Sequence, residues 1–140
     1  MIGEDNGTSD WVLIDQDKIN RFADCTGDHQ WIHVDIEKAN QGPFGGPIAH
    51  GFLTLSLIPV FSASGKYLPE GITMTVNYGL NKVRFVNPVP AGSKVRSKLV
   101  ISNIEEKSGG RLLMTITHTI EIEGQEKPAC IADALSLFFF

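Results

Sequence analysis

Hydrophobic and polar positions divide this chain into two parts with different periods. From Arg111 to Glu123 they alternate one by one. Leu112, Met114, Ile116, His118, Ile120 and Ile122 fall on one face, and Arg111, Thr115, Thr117, Thr119, Glu121 and Glu123 mainly on the other. A period of two predicts a strand with one buried face and one face toward water. Weaker alternation runs through Ile72 to Tyr78, Lys82 to Val86, Lys94 to Ile104 and Ala129 to Phe139. Turn residues at Asn87-Pro-Val-Pro-Ala-Gly92, Ser108-Gly-Gly110 and Gly124 separate these runs. The second half is therefore expected to hold about four or five antiparallel strands.

The first half reads differently. After the short apolar segment Trp11-Val-Leu-Ile14, Asp15 is a good N-cap, and Ile19, Phe22 and Ala23 follow at i, i+3 and i+4. This spacing predicts an amphipathic helix from Gln16 to Asp24, stopped near Gly27. Asp35 can cap a second, short helical piece to about Asn40. Gln41-Gly-Pro-Phe-Gly-Gly-Pro47 then breaks regular structure. From Ile48 to Phe61 the residues Ile48, Phe52, Leu53, Leu55, Leu57, Ile58, Val60 and Phe61 cover every face of a helix, which places that helix inside the protein. A buried helix followed by an antiparallel sheet packs best with the sheet wrapped around the helix, an α+β hot-dog fold.

At 140 residues the chain is long enough for one core, so residues 1–140 are expected to form a single domain, with the polar residues 1–10 disordered. A net charge of −4, a pI near 5.5 and scattered basic residues give no footprint for nucleic acid. No run approaches the ~20 apolar residues of a membrane helix, and the first ten residues lack the pattern of a signal peptide. A cytoplasmic protein with no membrane partner is expected. Cys25 and Cys130 share no metal-ligand spacing with the histidines and read as reduced thiols, Cys25 as a packing residue.

Chemistry concentrates in Gly27-Asp28-His29-Gln30-Trp31-Ile32-His33. It pairs a carboxylate with an imidazole five residues on, just upstream of the buried helix that His50-Gly51 opens. In a dry cleft Asp28 and His33 can hold one water between them and exchange its protons. Alternatively, Asp28 caps a turn and His33 is a satisfied, half-buried histidine. Gly51 likewise has two readings: its N–H can meet a substrate carbonyl at the helix start, or its lack of a side chain serves packing against the sheet. His29 and His33 have the i, i+4 spacing of zinc-protease ligands. Gln30 stands where that motif needs Glu, so no metal is expected. His118 reads as a hydrogen-bonded core residue, and Lys82 and Arg84 as a solvated strand face.

These residues resemble a known family. Gly27-Asp28-x-Gln30-Trp31-Ile32-His33 followed by Ala39 is similar to the hydratase-2 motif of MaoC-like dehydratases, Gly-Asp-x-Asn-Pro-aliphatic-His, and Phe22 and Thr26 fit its upstream part. The similarity continues through Gly46-Pro-Ile-Ala-His50-Gly51 to Arg84-Phe85 and Pro88-Val89, and Asn77-Tyr78-Gly79 looks most like the nodulation-protein-N-like subgroup. The resemblance implies a usually dimeric hot-dog enzyme that reversibly hydrates trans-2-enoyl thioesters to (3R)-3-hydroxyacyl thioesters. It needs no cofactor beyond the CoA thioester that is its substrate. Asp28 and His33 would activate water and shuttle the α-proton, and the Gly51 N–H would bind the thioester carbonyl. Gln30 and Trp31 depart from the motif and mark a place where substrate preference could be set. A hot-dog acyl-CoA thioesterase and a silent acyl-thioester-binding subunit are the alternatives.

Overall fold

The computed structural model describes residues 1–140. Six strands form one antiparallel sheet: β1 (Asp5–Thr8), β2 (Val12–Ile14), β3 (Met74–Phe85), β4 (Ser93–Lys107), β5 (Arg111–Ile122) and β6 (Cys130–Phe139). Their order is β1-β4-β5-β6-β3, with β2 also paired to β4, so β3 is the far edge. The helices are α1 (Gln16–Thr26), α2 (Trp31–Val34), α3 (Ile36–Asn40), α4 (Gly51–Ser56) and α5 (Ile58–Ser62). Ile14, Ile19, Leu53 and Phe61 from the first half meet Val95, Ile120 and Ala132 of the sheet in the main core.

Several local expectations carry through. Asp15 caps α1 by accepting from Lys18 N, Gly27 ends it at φ 85°, and Asp35 caps α3 by accepting from Lys38 N. Gly27 reaches this left-handed conformation without the steric cost a side chain would bring. Along β5 the even-numbered residues from Met114 to Ile122 are buried, as the alternation requires. Leu112, however, is only half-buried, and Thr115, expected to face water, is buried, as is Leu113.

Three expectations are corrected. Residues 1–10 are not disordered throughout: β1 pairs with β4, Asp5 opposite Val100 and Thr8 opposite Lys98. Its anchors are polar, which hid it from a hydrophobicity pattern. The buried Asn6 accepts from Tyr67 N through Oδ1 and from Lys66 N through its carbonyl, and Asp5 pairs with Lys66 at 2.8 Å. The two expected runs 72–78 and 82–86 are one strand, β3, whose register shifts between Asn77 and Gly79 and again between Leu80 and Val83. Such irregularities break the alternation while the backbone stays paired.

The helix expected from Ile48 to Phe61 is two short helices. Pro59 lies in the first turn of α5 and has no N–H to continue the ladder from α4. Only one side of this pair is covered, by way of Leu53, Ile58 and Phe61. Phe52 and Val60 are 69% and 62% exposed.

Candidate active site

Asp28, His33 and His50 come together where the α1–α2 loop, α2 and the start of α4 meet, each offering a ligand-type atom within 4.8 Å of the others. The backbone holds α2 against the segment before α4: Ile48 N donates to Ile32 O at 3.0 Å, and His33 Nδ1 lies 2.7 Å from Ile48 O. A carbonyl oxygen only accepts, so Nδ1 carries the proton and the other ring nitrogen, Nε2, keeps its lone pair. His33 is 6% exposed. Burial pushes its pKa below the ordinary 6.5, against the opposing hydrogen bond to Ile48 and with a further lowering by neighbouring His50. A neutral ring with one free lone pair is a proton acceptor.

Asp28 is exposed in this chain rather than enclosed in a dry cleft, and it does cap a turn, accepting from Gln30 N at 3.3 Å. The turn-capping reading describes it directly, and the expected dry cleft around the carboxylate is corrected to an exposed position beside the buried His33 and His50. The reach between carboxylate and imidazole suits one bridging water with two hydrogen bonds of about 2.8 Å each. Thr26 Oγ1 accepts from Asp28 N at 3.3 Å, which gives this upstream residue a local purpose.

Gly51 is the first residue of α4, where an N–H has no acceptor inside the helix. It lines a 330 Å³ pocket together with His33, Ile32, Phe44, Thr54 and Phe85. A Cβ at position 51 would lie 3.1 Å from the Phe85 ring. Glycine here permits close approach, as both readings of the residue require.

His50 was not singled out by its spacing. It is 2% exposed, its ring stacks on His33 at 3.9 Å and 24°, Phe22 packs on it at 4.9 Å, and Nε2 meets the Asp28 carbonyl at 3.0 Å. The available signal was its place directly before Gly51. The three residues carry a donor set that can ligate a metal. In each imidazole, however, one nitrogen is already engaged with a backbone carbonyl, His33 Nδ1 with Ile48 O and His50 Nε2 with Asp28 O, which leaves one nitrogen per ring for a metal.

Other singled-out residues lie elsewhere. His29 is exposed and pairs with Asp24 at 3.0 Å. His118 is fully buried, between Ser62 and Ser97. Cys25 is exposed, not packed, and Cys130 is buried, both as free thiols. Lys82 and Arg84 are exposed on β3. Gln30 and Trp31 line neither principal cavity. The Trp31 ring instead fills the space a Cβ of Gly42 would need and carries the Lys38 ammonium 4.7 Å from its centroid.

A second, larger cavity of about 850 Å³ opens between α4–α5 and strands β3, β5 and β6, lined by Leu55, Ile58, Leu80, Ile116 and Leu135 among others. Phe52 lines it, Phe85 lines the smaller pocket, and the two rings meet edge to face with centroids 6.1 Å apart.

An antiparallel sheet packed on short helices, with a carboxylate and an imidazole gathered beside a helix start, is a site fit for acid/base chemistry, and relatives of the chain are hydro-lyases in name. The chain belongs to the MaoC-like dehydratase family: the family model described as "MaoC like domain" matches residues 1–123. It is 51% identical over 133 residues to 3-hydroxyacyl-thioester dehydratase Z of Mycobacterium tuberculosis, covering 95% of this chain and 87% of that protein. It is 45% identical over 141 residues to nodulation protein N of Rhizobium meliloti, covering 100% and 88%. The structure of an (R)-hydratase from A. caviae superposes with a TM-score of 0.76 at 22% identity, over 95% of each chain, and establishes the hot-dog fold.

Proposed function

We propose that this protein is an (R)-specific enoyl-CoA hydratase, or 3-hydroxyacyl-CoA dehydratase in reverse, in which Asp28 and His33 activate the reacting water. The observation that carries this reading is the tautomer of His33. Nδ1 is committed to the Ile48 carbonyl, and the remaining lone pair belongs to a ring that lines the same pocket as Gly51. In hydration, the water oxygen bonds to the β-carbon of the enoyl thioester. One water proton passes to the Asp28/His33 pair, and the pair delivers a proton to the α-carbon. The thioester carbonyl takes up negative charge on the way, and the Gly51 N–H donates a hydrogen bond to that oxyanion. The chemistry uses no metal or redox cofactor. The R configuration is the one named for the (R)-hydratase whose fold the chain shares, and it is part of the proposal.

The 850 Å³ apolar cavity beyond Phe52 and Phe85 is the natural receptacle for an acyl chain. A second copy of the chain is the proposed partner. Phe52 and Val60 on the helices and Met74, Val76, Tyr78 and Leu80 on the edge strand β3 are exposed apolar side chains that a second copy would cover. No helix is long and apolar enough to cross a membrane, and the proposed site of action is the cytoplasm.

The test is a panel of trans-2-enoyl-CoA thioesters of increasing chain length with chiral analysis of the product. Loss of the conjugated chromophore with formation of the 3R alcohol is expected. Release of free CoA thiol without that alcohol would point to a thioesterase, and binding without turnover to a silent subunit. A solution mass measurement is expected to give at least twice the 15.3 kDa of one chain.

A further inference from the structure

We propose that His50 is a positioning residue for the Asp28/His33 pair, holding the Asp28 main-chain carbonyl with its Nε2–H while its ring face fixes His33. The inference rests on the reading that Asp28 and His33 are catalytic.

The loop of residues 27–30, which carries Asp28, is held at its ends and at His29 by local bonds: Gly27 N to Ala23 O at 2.8 Å, His33 N to Gln30 O at 3.0 Å and His29 to Asp24 at 3.0 Å. Asp28 itself has only long local ones. Asp28 N reaches Thr26 Oγ1 and Gln30 N reaches Asp28 Oδ1, both at 3.3 Å and both two residues apart. The one hydrogen bond from this loop to a distant segment is that from His50 Nε2 to Asp28 O, at 3.0 Å across 22 residues. On its other side the same imidazole lies flat against His33, and Phe22 closes a further side. His50 O also accepts from Leu53 N and Thr54 N, which starts α4 and so places the Gly51 N–H. One side chain and its own peptide thus set the relative positions of the proposed carboxylate, imidazole and carbonyl donor.

The arrangement has a cost that packing alone does not explain. Because Nε2 must hold the proton it donates to a carbonyl, Nδ1 is a bare lone pair, and it is buried with no partner. A buried, unpaired polar atom is destabilising. A phenylalanine would fill a similar volume and keep the stacking without that cost, so the residue is accounted for by what Nε2 does. Burial of Nδ1 also separates positioning from catalysis: the atom does not face the pocket and has no partner through which to relay a proton.

The experiment compares kcat and KM on the best enoyl-CoA of the panel for the wild type, His50→Phe, His50→Gln and Asp28→Asn, with thermal melts of each. His50→Phe keeps an aromatic ring against His33 and loses the donor. Its kcat is expected to fall by about tenfold to about a hundredfold with KM within about twofold. His50→Gln restores an N–H near the Nε2 position and is expected to recover several-fold of that loss. In the wild type, nitrogen NMR of the histidine rings should find His50 protonated on Nε2 and His33 on Nδ1. This reading stands even if a variant does not fold. The proposal is overturned if His50→Phe turns over like the wild type while Asp28→Asn is inactive, if both His50 variants lose kcat equally, or if His50 carries its proton on Nδ1. Wild-type turnover in Asp28→Asn would instead overturn the hydratase reading on which the proposal stands.

Discussion

Two buried histidine environments in this molecule use the same side chain for opposite ends. His118, on β5, is fully enclosed, with Nε2 3.1 Å from Ser62 Oγ and Nδ1 2.9 Å from Ser97 Oγ. Each hydroxyl can donate or accept, so both ring nitrogens are satisfied whichever one holds the proton. Burial drives the pKa of this ring down to about 4, and it stays neutral. His33 and His50 are nearly as buried, but each has one nitrogen committed to a rigid backbone carbonyl and the other left without a protein partner. Burial by itself therefore does not mark a functional histidine here. Under the proposed function, what sets His33 apart is a fixed tautomer with an unspent lone pair at a pocket.

The contrast can be broken or sharpened experimentally. The largest effect is expected from Asp28→Asn, which keeps the turn but removes the charge. Turnover should fall by roughly 10²- to 10⁴-fold, while the melting temperature stays close to that of the wild type because the side chain is exposed. Next is acid stability. His118 in the unfolded chain takes up a proton near the ordinary 6.5, whereas the folded ring resists until about 4. The native state is then undisturbed above 6.5 and loses stability as pH falls from 6.5 toward 4, by about 3 kcal/mol in all. Denaturant unfolding of the wild type and His118→Gln across that window should show the pH dependence shrinking in the variant. If it does not, His118 is not the buried neutral ring described.

Smaller effects sharpen the picture of the pocket. Gly51→Ala places a Cβ 3.1 Å from the Phe85 ring, which is half exposed at the sheet edge and can give way. A stability loss of about 1 kcal/mol and a fall in kcat/KM of about tenfold are expected. A larger loss in stability than in activity would favour the packing reading of Gly51. Finally, the acid limb of kcat/KM should lie below the ordinary histidine value of 6.5. Burial lowers the pKa of His33, so the neutral, proton-accepting ring persists to lower pH. A limb above 6.5 would contradict this.

Much of this was legible from residue patterns, for reasons specific to each element. Caps act locally, so Asp15, Gly27 and Asp35 marked helix ends correctly. The alternation along β5 was legible because its even-numbered side chains reach the core. The N-terminal strand β1 was not legible, because its partners, Tyr67, Lys66 and β4, are distant in sequence and its contacts are polar. The break between α4 and α5 was signalled by Pro59, but an unbroken apolar run outweighed it. In the site, Asp28, His33 and Gly51 stood out by motif and position. His50 did not, because its significance lies in a stack and a hydrogen bond that join segments 17 and 22 residues apart. Trp31, where the chain departs from the motif, packs against Gly42 and Lys38 and lines neither of the two cavities.

The most direct test of the central claim compares turnover of His33→Gln and His118→Gln on the same trans-2-enoyl-CoA, both confirmed as folded. Loss of roughly 10²-fold or more in His33→Gln beside near-wild-type turnover in His118→Gln is the expected result. Comparable rates in the two variants would contradict the assignment of acid/base chemistry to the Asp28/His33 pair.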